Sequence, residues 1–328
     1  MVFIAADRAG GMELSMKIFF MGTPDIAAHC LKALIDGGHN ICGVFTQPDR
    51  PKGRGMKEAV PPVKILAESA GIPVWQPLKI RRSFDIIEEV APDVIIVVAY
   101  GKLLPVKILD FPKYGAINLH ASLLPKLRGA APIQRAIVNG DTVGGVTTMY
   151  MAEKLDAGDI ILAEQCEISD TDTAETLTGK YTDIGAKLLL KTLDMIERGT
   201  VPRFVQDEEQ VTFAPPISKE EAMIEWGAAA EQIRNLIRGF NPAPVAFTEF
   251  DGQNLKVFSA ERGNPDSVGN VGEIISMSKK GPEIMTGSGT LILTEVQASG
   301  KKRMNAADWM RGKRVEVGMR LGGQHSEG

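Results

Sequence analysis

Cysteine is scarce in this sequence, and the three present are not arranged for chemistry. Cys30, Cys42 and Cys166 are odd in number among 328 residues and lack the short paired spacings of a zinc site or a redox CxxC, so a reducing cytoplasm is the expected location. Long apolar runs are missing as well: none approaches the about 20 residues that cross a bilayer, and no membrane partner is expected. There is no excess of positive charge, because 37 Lys and Arg face 41 Asp and Glu for a formal net charge of -4. Any polyanion site must therefore be local. The nucleotide fingerprints fail too. GTPDIAA, from Gly22 to Ala28, offers one glycine where a dinucleotide loop needs the GxGxxG set, and GRGMK, from Gly53 to Lys57, lacks Walker A spacing. There is no GxSxG elbow and no cluster of metal ligands, so neither a serine acyl-enzyme nor a bound metal is expected.

What is present is an ordinary globular composition, 44% hydrophobic and 24% charged, in a chain long enough for a large domain and a smaller one. The leading MVFIAADRAGGMELS carries Asp7 and Glu13 and too short an apolar core for a signal peptide; residues 1–15 read as a tag or extension. From Met16 onward short apolar runs alternate with helical patterns, the mark of βαβ units. KIFFM, ICGVFT, PVWQ, VIIVVAY and AINLH read as strands, and VIIVVAY is apolar enough to be covered on both faces, as the first strand after the sheet reverses. VTTMYM and IILAEQCEI follow, then a long amphipathic helix from Asp172 to Gly199. The expected fold is α/β, a doubly wound, mostly parallel sheet over residues 16–205. Val201 to Ala222 has no clear period and reads as a connector, with 206–221 as the linker. Over 222–328 come a short helix, AEQIRNLIRGF, and the runs AFTEF, NLKVFSA, GEIISMS, PEIMTG and LILTEVQ, which suggest a small antiparallel barrel, OB-like in size and spacing.

AINLH carries the chemistry. Residues two apart on a strand share a face, so Asn118 and His120 stand together near the strand's carboxyl end, where open α/β sheets bind ligands. An amide beside an imidazole suits acyl transfer, in which a carbonyl oxygen becomes an oxyanion and needs preplaced donors. KLDAGDI offers the carboxylate that such a pair lacks, as Asp156 or Asp159. The ordinary use of either would be a local Asx turn. With no Ser or Cys placed as acyl acceptor, direct transfer between two bound substrates fits best. Two cationic segments stand out. In the loop QPDRPKGRGMK, Arg50, Lys52, Arg54 and Lys57 outweigh Asp49. In GKKRMNAADWMRGKR, Lys301, Lys302, Arg303, Arg311, Lys313 and Arg314 face Asp308 alone, and phosphate contact is the functional reading.

The segments FMGTPDIAA, GVFTQPDRPKGRG, VVAYGKLLP, INLHASLLPKLRGAAPIQ, LDAGD and RGFNPAP, spread from about Met16 to GKKRM, resemble the methionyl-tRNA formyltransferase family. The resemblance implies a Rossmann-like catalytic domain with an OB-like C-terminal domain that holds tRNA. It implies catalytic roles for Asn118, His120 and Asp156, and folate contacts from Ser122, Leu123, Leu124 and Pro125 and from a wall that includes Val98 and Tyr100. It gives the loop, through Arg54, the tRNA acceptor end. The implied reaction moves the formyl group of 10-formyltetrahydrofolate, without metal, to the α-amino group of initiator methionyl-tRNA through a tetrahedral intermediate, in translation initiation; a monomer is expected. Leu127 stands where the family commonly has an aromatic, and Ala243 where FNPWP would have Trp. An amino-sugar-nucleotide formyltransferase would use the same three residues on another amine, and a non-catalytic RNA-binding protein would need none of them.

Overall fold

The computed structural model describes residues 15–52 and 57–322. Arg54 and residues 1–14 of the expected 1–15 extension lie outside the described residues, and the side chains of Lys52 and Lys57 are not described. The elements run β1 (Lys17–Gly22), α1 (Asp25–Asp36), β2 (Asn40–Phe45), β3 (Arg50–Lys52), β4 (Lys57–Ala59), α2 (Pro62–Ser69), β5 (Val74–Trp75), α3 (Phe84–Val90), β6 (Val94–Val98), α4 (Val106–Leu109), β7 (Ala116–His120), β8 (Arg128–Gly129), α5 (Pro132–Asn139), β9 (Val143–Tyr150), β10 (Ile160–Glu167) and α6 (Ala174–Glu197). They continue with β11 (Phe213–Ala214), α7 (Ala230–Gly239), β12 (Phe247–Phe250), β13 (Gln253–Arg262), β14 (Ile274–Met277), β15 (Pro282–Met285), β16 (Thr290–Ala298), β17 (Met304–Asn305) and α8 (Ala306–Lys313).

The chain divides into two compact units. One holds the described residues up to Leu119 with Tyr150–Glu153 and Leu189–Val201; the other holds His120–Met149, Lys154–Leu188 and the described residues from Pro202 on. The main sheet has the order β10-β9-β7-β6-β1-β2-β5. Five of its strands pair in parallel: β1 pairs with β2 and with β6, β2 with β5, and β6 with β7. Strands β1, β2 and β5 step one way and β6 and β7 the other, so the chain reverses at β6, as the sequence predicts. Every residue of β6 is buried, which an all-apolar strand covered on both faces requires. Around it an aromatic group forms, with Phe19 edge-on to Phe45 at 4.8 Å and stacked on Trp75 at 5.9 Å. Gly38 takes φ +77 just after α1, a conformation that stops the helix and that glycine adopts without strain.

In the second unit β9 and β10 pair antiparallel, and the two-residue strands β8 and β11 pair parallel. Helix α6 begins where Thr173 Oγ1 accepts from Thr176 N at 3.2 Å and Thr176 Oγ1 accepts from Thr173 N at 2.9 Å, a reciprocal cap. The C-terminal strands order as β12-β13-β16-β15-β14 with β17 on β16, every pairing antiparallel. They form a curled half-barrel, OB-like as expected. Its core gathers Trp226, Ile233, Ile237, Val257, Leu293 and Trp309, and the one polar edge of Trp226 is satisfied by Thr248 Oγ1 at 2.9 Å. Among the described residues no helix is long and apolar enough to cross a membrane.

The stretch read as a connector is mostly irregular and is nonetheless held in place. It supplies β11, and within it Gln206 is 6% exposed and Ala214 fully buried. Its order comes from hydrogen bonds to residues far away in sequence, which periodicity does not record.

Candidate active site

Strand β7 ends in the pair the sequence singles out. Ala116, Ile117, Leu119 and His120 are buried and Asn118 is half-buried. Asn118 lies opposite Val97 in the parallel ladder, and its side-chain amide has no partner among the described residues. His120 is 5% exposed. Its Nε2 lies 3.0 Å from Leu127 O; a carbonyl only accepts, so Nε2 carries a proton and donates it. Its Nδ1 lies 3.6 Å from Asp156 Oδ2. Of the two candidate aspartates it is thus Asp156 that faces the imidazole. Asp156 also escapes the local Asx turn: Oδ2 accepts from Gly129 N at 2.9 Å, 27 residues away.

Leu127 and Asp156 both hold left-handed backbone, at φ +59 and φ +49. For residues with a Cβ that conformation is uncommon and persists only where surroundings impose it. At Leu127 the restraint is visible: its N donates to Thr212 Oγ1 at 2.9 Å, and the next amide, Arg128 N, donates to Thr212 O at 2.9 Å. The backbone of Leu127 therefore serves the site, and its unusual side chain does not alter that contact. At Gly129, with φ +129, a Cβ would come within 2.5 Å of Ala214 O, so only glycine lets β8 lie this close to β11.

The segment from Ser122 to Pro125 is pinned from below. Thr147, fully buried, donates from Oγ1 to Ser122 O at 2.7 Å and accepts from Leu124 N at 3.2 Å. Ser122 Oγ donates to Lys126 O at 2.6 Å, closing the turn.

In the first unit, Val98 and Tyr100 are almost fully buried at the end of β6, and Tyr100 joins the core with Phe19, Met21 and Phe45. Tyr100 Oη, Thr46 Oγ1 and Gln47 Oε1 are buried without a hydrogen-bond partner. The residues that carry these atoms follow β2 and β6 in the chain, at strand ends where such sheets take ligands. Cys30 and Cys42 supply no nucleophile, since burial pushes the thiols up to about 12 and about 11. Among the described residues no group of His, Cys, Asp or Glu could hold a metal ion.

The cationic segments divide. Arg50 is exposed at the start of β3, and Asp49 beside it is held by Lys64 at 2.8 Å and Gln76 at 2.7 Å. Lys301 and Lys302 are exposed, but Arg303 binds Glu295 with both Nε and Nη2 at 2.5 Å and lies 4.3 Å from the Phe258 ring centre. Arg311 is paired with Asp308. Ala243 is exposed. The residues that sequence reasoning misses are Thr147, Gln206 and Thr212. Arg128 stood inside a recognised segment, though nothing in its spacing marked it as buried.

Two family models match this chain: formyl transferase over residues 16–193 and formyl transferase, C-terminal domain, over residues 216–314. The methionyl-tRNA formyltransferase of Bacillus licheniformis is 48% identical over 309 residues, covering 93% of this chain and 98% of that protein. That of Clostridioides difficile is 47% identical, covering 94% and 100%. Among solved structures, an N-formyltransferase from Helicobacter canadensis in complex with folinic acid and dTDP-3-aminofucose has a TM-score of 0.64 at 18% identity, covering 85% of this chain and 99% of that one. HypX from Aquifex aeolicus in complex with tetrahydrofolic acid has a TM-score of 0.65 at 16% identity over 92% of this chain, which spans about half of HypX, 48%. At these identities the structures share a fold.

Proposed function

The chain belongs to the methionyl-tRNA formyltransferase family, and from that premise we propose that it transfers the formyl group of 10-formyltetrahydrofolate to the α-amino group of initiator methionyl-tRNA, in translation initiation. It is a one-carbon transferase that uses folate. The observation that carries the reading is His120, held between Leu127 O at 3.0 Å and Asp156 Oδ2 at 3.6 Å on the strand that also bears Asn118.

The residues present fit a folate co-substrate. Tyr100 Oη, Thr46 Oγ1 and Gln47 Oε1 are buried and unpaired, polar partners of the kind a pterin edge needs, and the Ser122–Pro125 loop is held rigid by Thr147. We assign folate contacts to Val98, Tyr100 and Ser122, Leu123, Leu124 and Pro125. The co-substrate supplies the formyl group when bound. Asn118 offers an uncommitted amide to the oxygen that turns negative as the amine attacks. The Nε2 proton of His120 serves the same oxygen, because an oxyanion is a stronger acceptor than the neutral Leu127 carbonyl. Asp156 keeps the imidazole oriented through Oδ2. Its Oδ1, without a partner among the described residues, takes the proton that the attacking amine sheds.

We keep residues 16–205 as the catalytic domain, 206–221 as the linker and 222–328 as the tRNA-binding domain. The tRNA contacts assigned are Arg50, Lys52, Arg54 and Lys57 in the loop and Lys301, Lys302 and Arg303 toward the C-terminus. The enzyme is proposed to work as a cytoplasmic monomer. The direct test incubates the enzyme with 10-formyltetrahydrofolate labelled in the formyl group and, separately, methionyl-tRNA, free methionine and an amino-sugar nucleotide. Label on methionyl-tRNA alone is expected; label on the sugar nucleotide in preference would replace this reading.

A further inference from the structure

The side chain of Gln206 uses all of its hydrogen-bonding capacity, and its partners leave one orientation. Its Oε1 accepts from Arg128 Nε at 3.0 Å and Nη2 at 2.9 Å, and its Nε2 donates to Asp156 O at 2.8 Å and Gly158 O at 2.7 Å. A guanidinium only donates and a peptide carbonyl only accepts, so the amide cannot be turned round. Gln206 and Arg128 are 6% and 4% exposed, and Gln206 reaches Asp156 through its backbone carbonyl, not its carboxylate.

The two carbonyls held by Gln206 bracket Ala157. Tying them together restrains the peptide units that follow Asp156, the residue at φ +49. The neighbour of Arg128 completes the enclosure, because Gly129 N donates to Asp156 Oδ2 at 2.9 Å. The residue before Arg128 also takes part, since Leu127 O accepts from His120. Segment 127–129 is itself secured by Thr212 and by the β8–β11 pairing. Residues 206–214, which carry no reacting group, thus hold His120 and Asp156 through one connected set of bonds.

Resting on the formyltransferase reading, we infer that Gln206 is a positioning residue for catalysis: its amide, braced by Arg128, fixes the backbone of Asp156 so that the carboxylate faces His120. The chemistry requires glutamine at this position. Glutamate has the same shape and would keep Arg128, but it has no proton for the two carbonyls and would set a negative charge against them. Methionine fills similar volume and offers neither half.

The test compares Gln206→Glu and Gln206→Met with the wild type in formyl transfer to methionyl-tRNA, with thermal unfolding recorded for each. We expect kcat to fall at least ~10-fold in both while KM for the folate and for the tRNA stays within ~2-fold, the split expected when only transition-state geometry is lost. In an Asp156→Asn background the same changes should cost less than ~2-fold, because the residue being positioned has already lost its function. Near-normal kcat in either folded variant, or an undiminished further loss in the Asp156→Asn background, overturns the inference. Gln206→Met keeps the test usable should Gln206→Glu fail to fold. A wild-type enzyme that leaves methionyl-tRNA unformylated would instead overturn the functional reading, so the two failures are distinguishable.

Discussion

Asn118 and His120 carry the residue-scale account. Each is assigned one donor to the developing oxyanion, and removing one such donor costs about 100-fold or more in turnover. Asn118→Ala and His120→Ala should each lower kcat by at least that factor, with thermal unfolding unchanged within ~2 °C; a steady-state assay beside a melting curve checks both. Thr147 makes a contrasting case, since it holds the loop proposed to contact folate and bonds neither His120 nor Asp156. Thr147→Val keeps the shape but strips Ser122 O and Leu124 N of their partner. Buried polar groups left unpaired cost about 1–3 kcal/mol, so denaturant unfolding should show a loss of that size and KM for the folate should rise. The pair Asn118 and His120 was legible because a strand's period of two places them on one face. The motif LDAGD offered two aspartates, of which the resemblance named Asp156, and the fold sets its Oδ2 3.6 Å from the imidazole. Gln206 and Thr147 could not be read in advance: their partners lie 50 and 25 residues away, beyond any local pattern.

At the scale of elements, the strands and helices of the main sheet were legible because their apolar residues recur at periods of two and 3.6. The all-apolar β6 signalled burial by having no polar face. The short strands β8 and β11 were not, since two residues show no period and their pairing depends on a glycine that admits Ala214 O. Helix α6 gives a pH prediction. Asp172 is 4% exposed just before it, accepts from Ser169 N at 2.7 Å and Thr176 Oγ1 at 2.9 Å, and pairs with Lys180 at 2.5 Å. Burial raises its pKa, but Lys180 and these hydrogen bonds outweigh burial and hold it below the ordinary carboxylate value. A depressed folded value means that the stabilisation is fully present above the unfolded value of about 3.9 and is lost as pH falls through the folded one. Asp172→Asn should therefore lower the melting temperature at neutral pH and flatten its decline below pH ~4; an acid limb as steep as the wild type's would remove Asp172 from this role. The loop from Gln47 to Lys57 gives another. Its start is tied down through Asp49, and proteolytic cleavage near Arg54 is expected to slow when methionyl-tRNA is added. Arg54→Lys should impair use of methionyl-tRNA while leaving folate binding intact, because ammonium cannot replace the bidentate, stacking guanidinium.

At the scale of the whole molecule, a chain with net charge -4 must bind a polyanion through local patches. The cationic run toward the C-terminus is weaker than its sequence suggests, because Arg303 and Arg311 already have carboxylate partners. Lys301 and Lys302 remain exposed. Reversing both to Glu should weaken tRNA binding and reduce the slope of log affinity against log salt by about two, roughly one per phosphate contact. The central claim is that Asp156, His120 and Asn118 perform direct formyl transfer to methionyl-tRNA. Its most direct test is a single-turnover rapid-quench measurement of that transfer by the wild type and by Asp156→Asn, with 10-formyltetrahydrofolate prebound at saturating enzyme and methionyl-tRNA mixed in to start the reaction. The account predicts a transfer step slowed at least ~100-fold in the variant with the binding of both substrates unchanged. A variant that transfers formyl at the wild-type rate would contradict it.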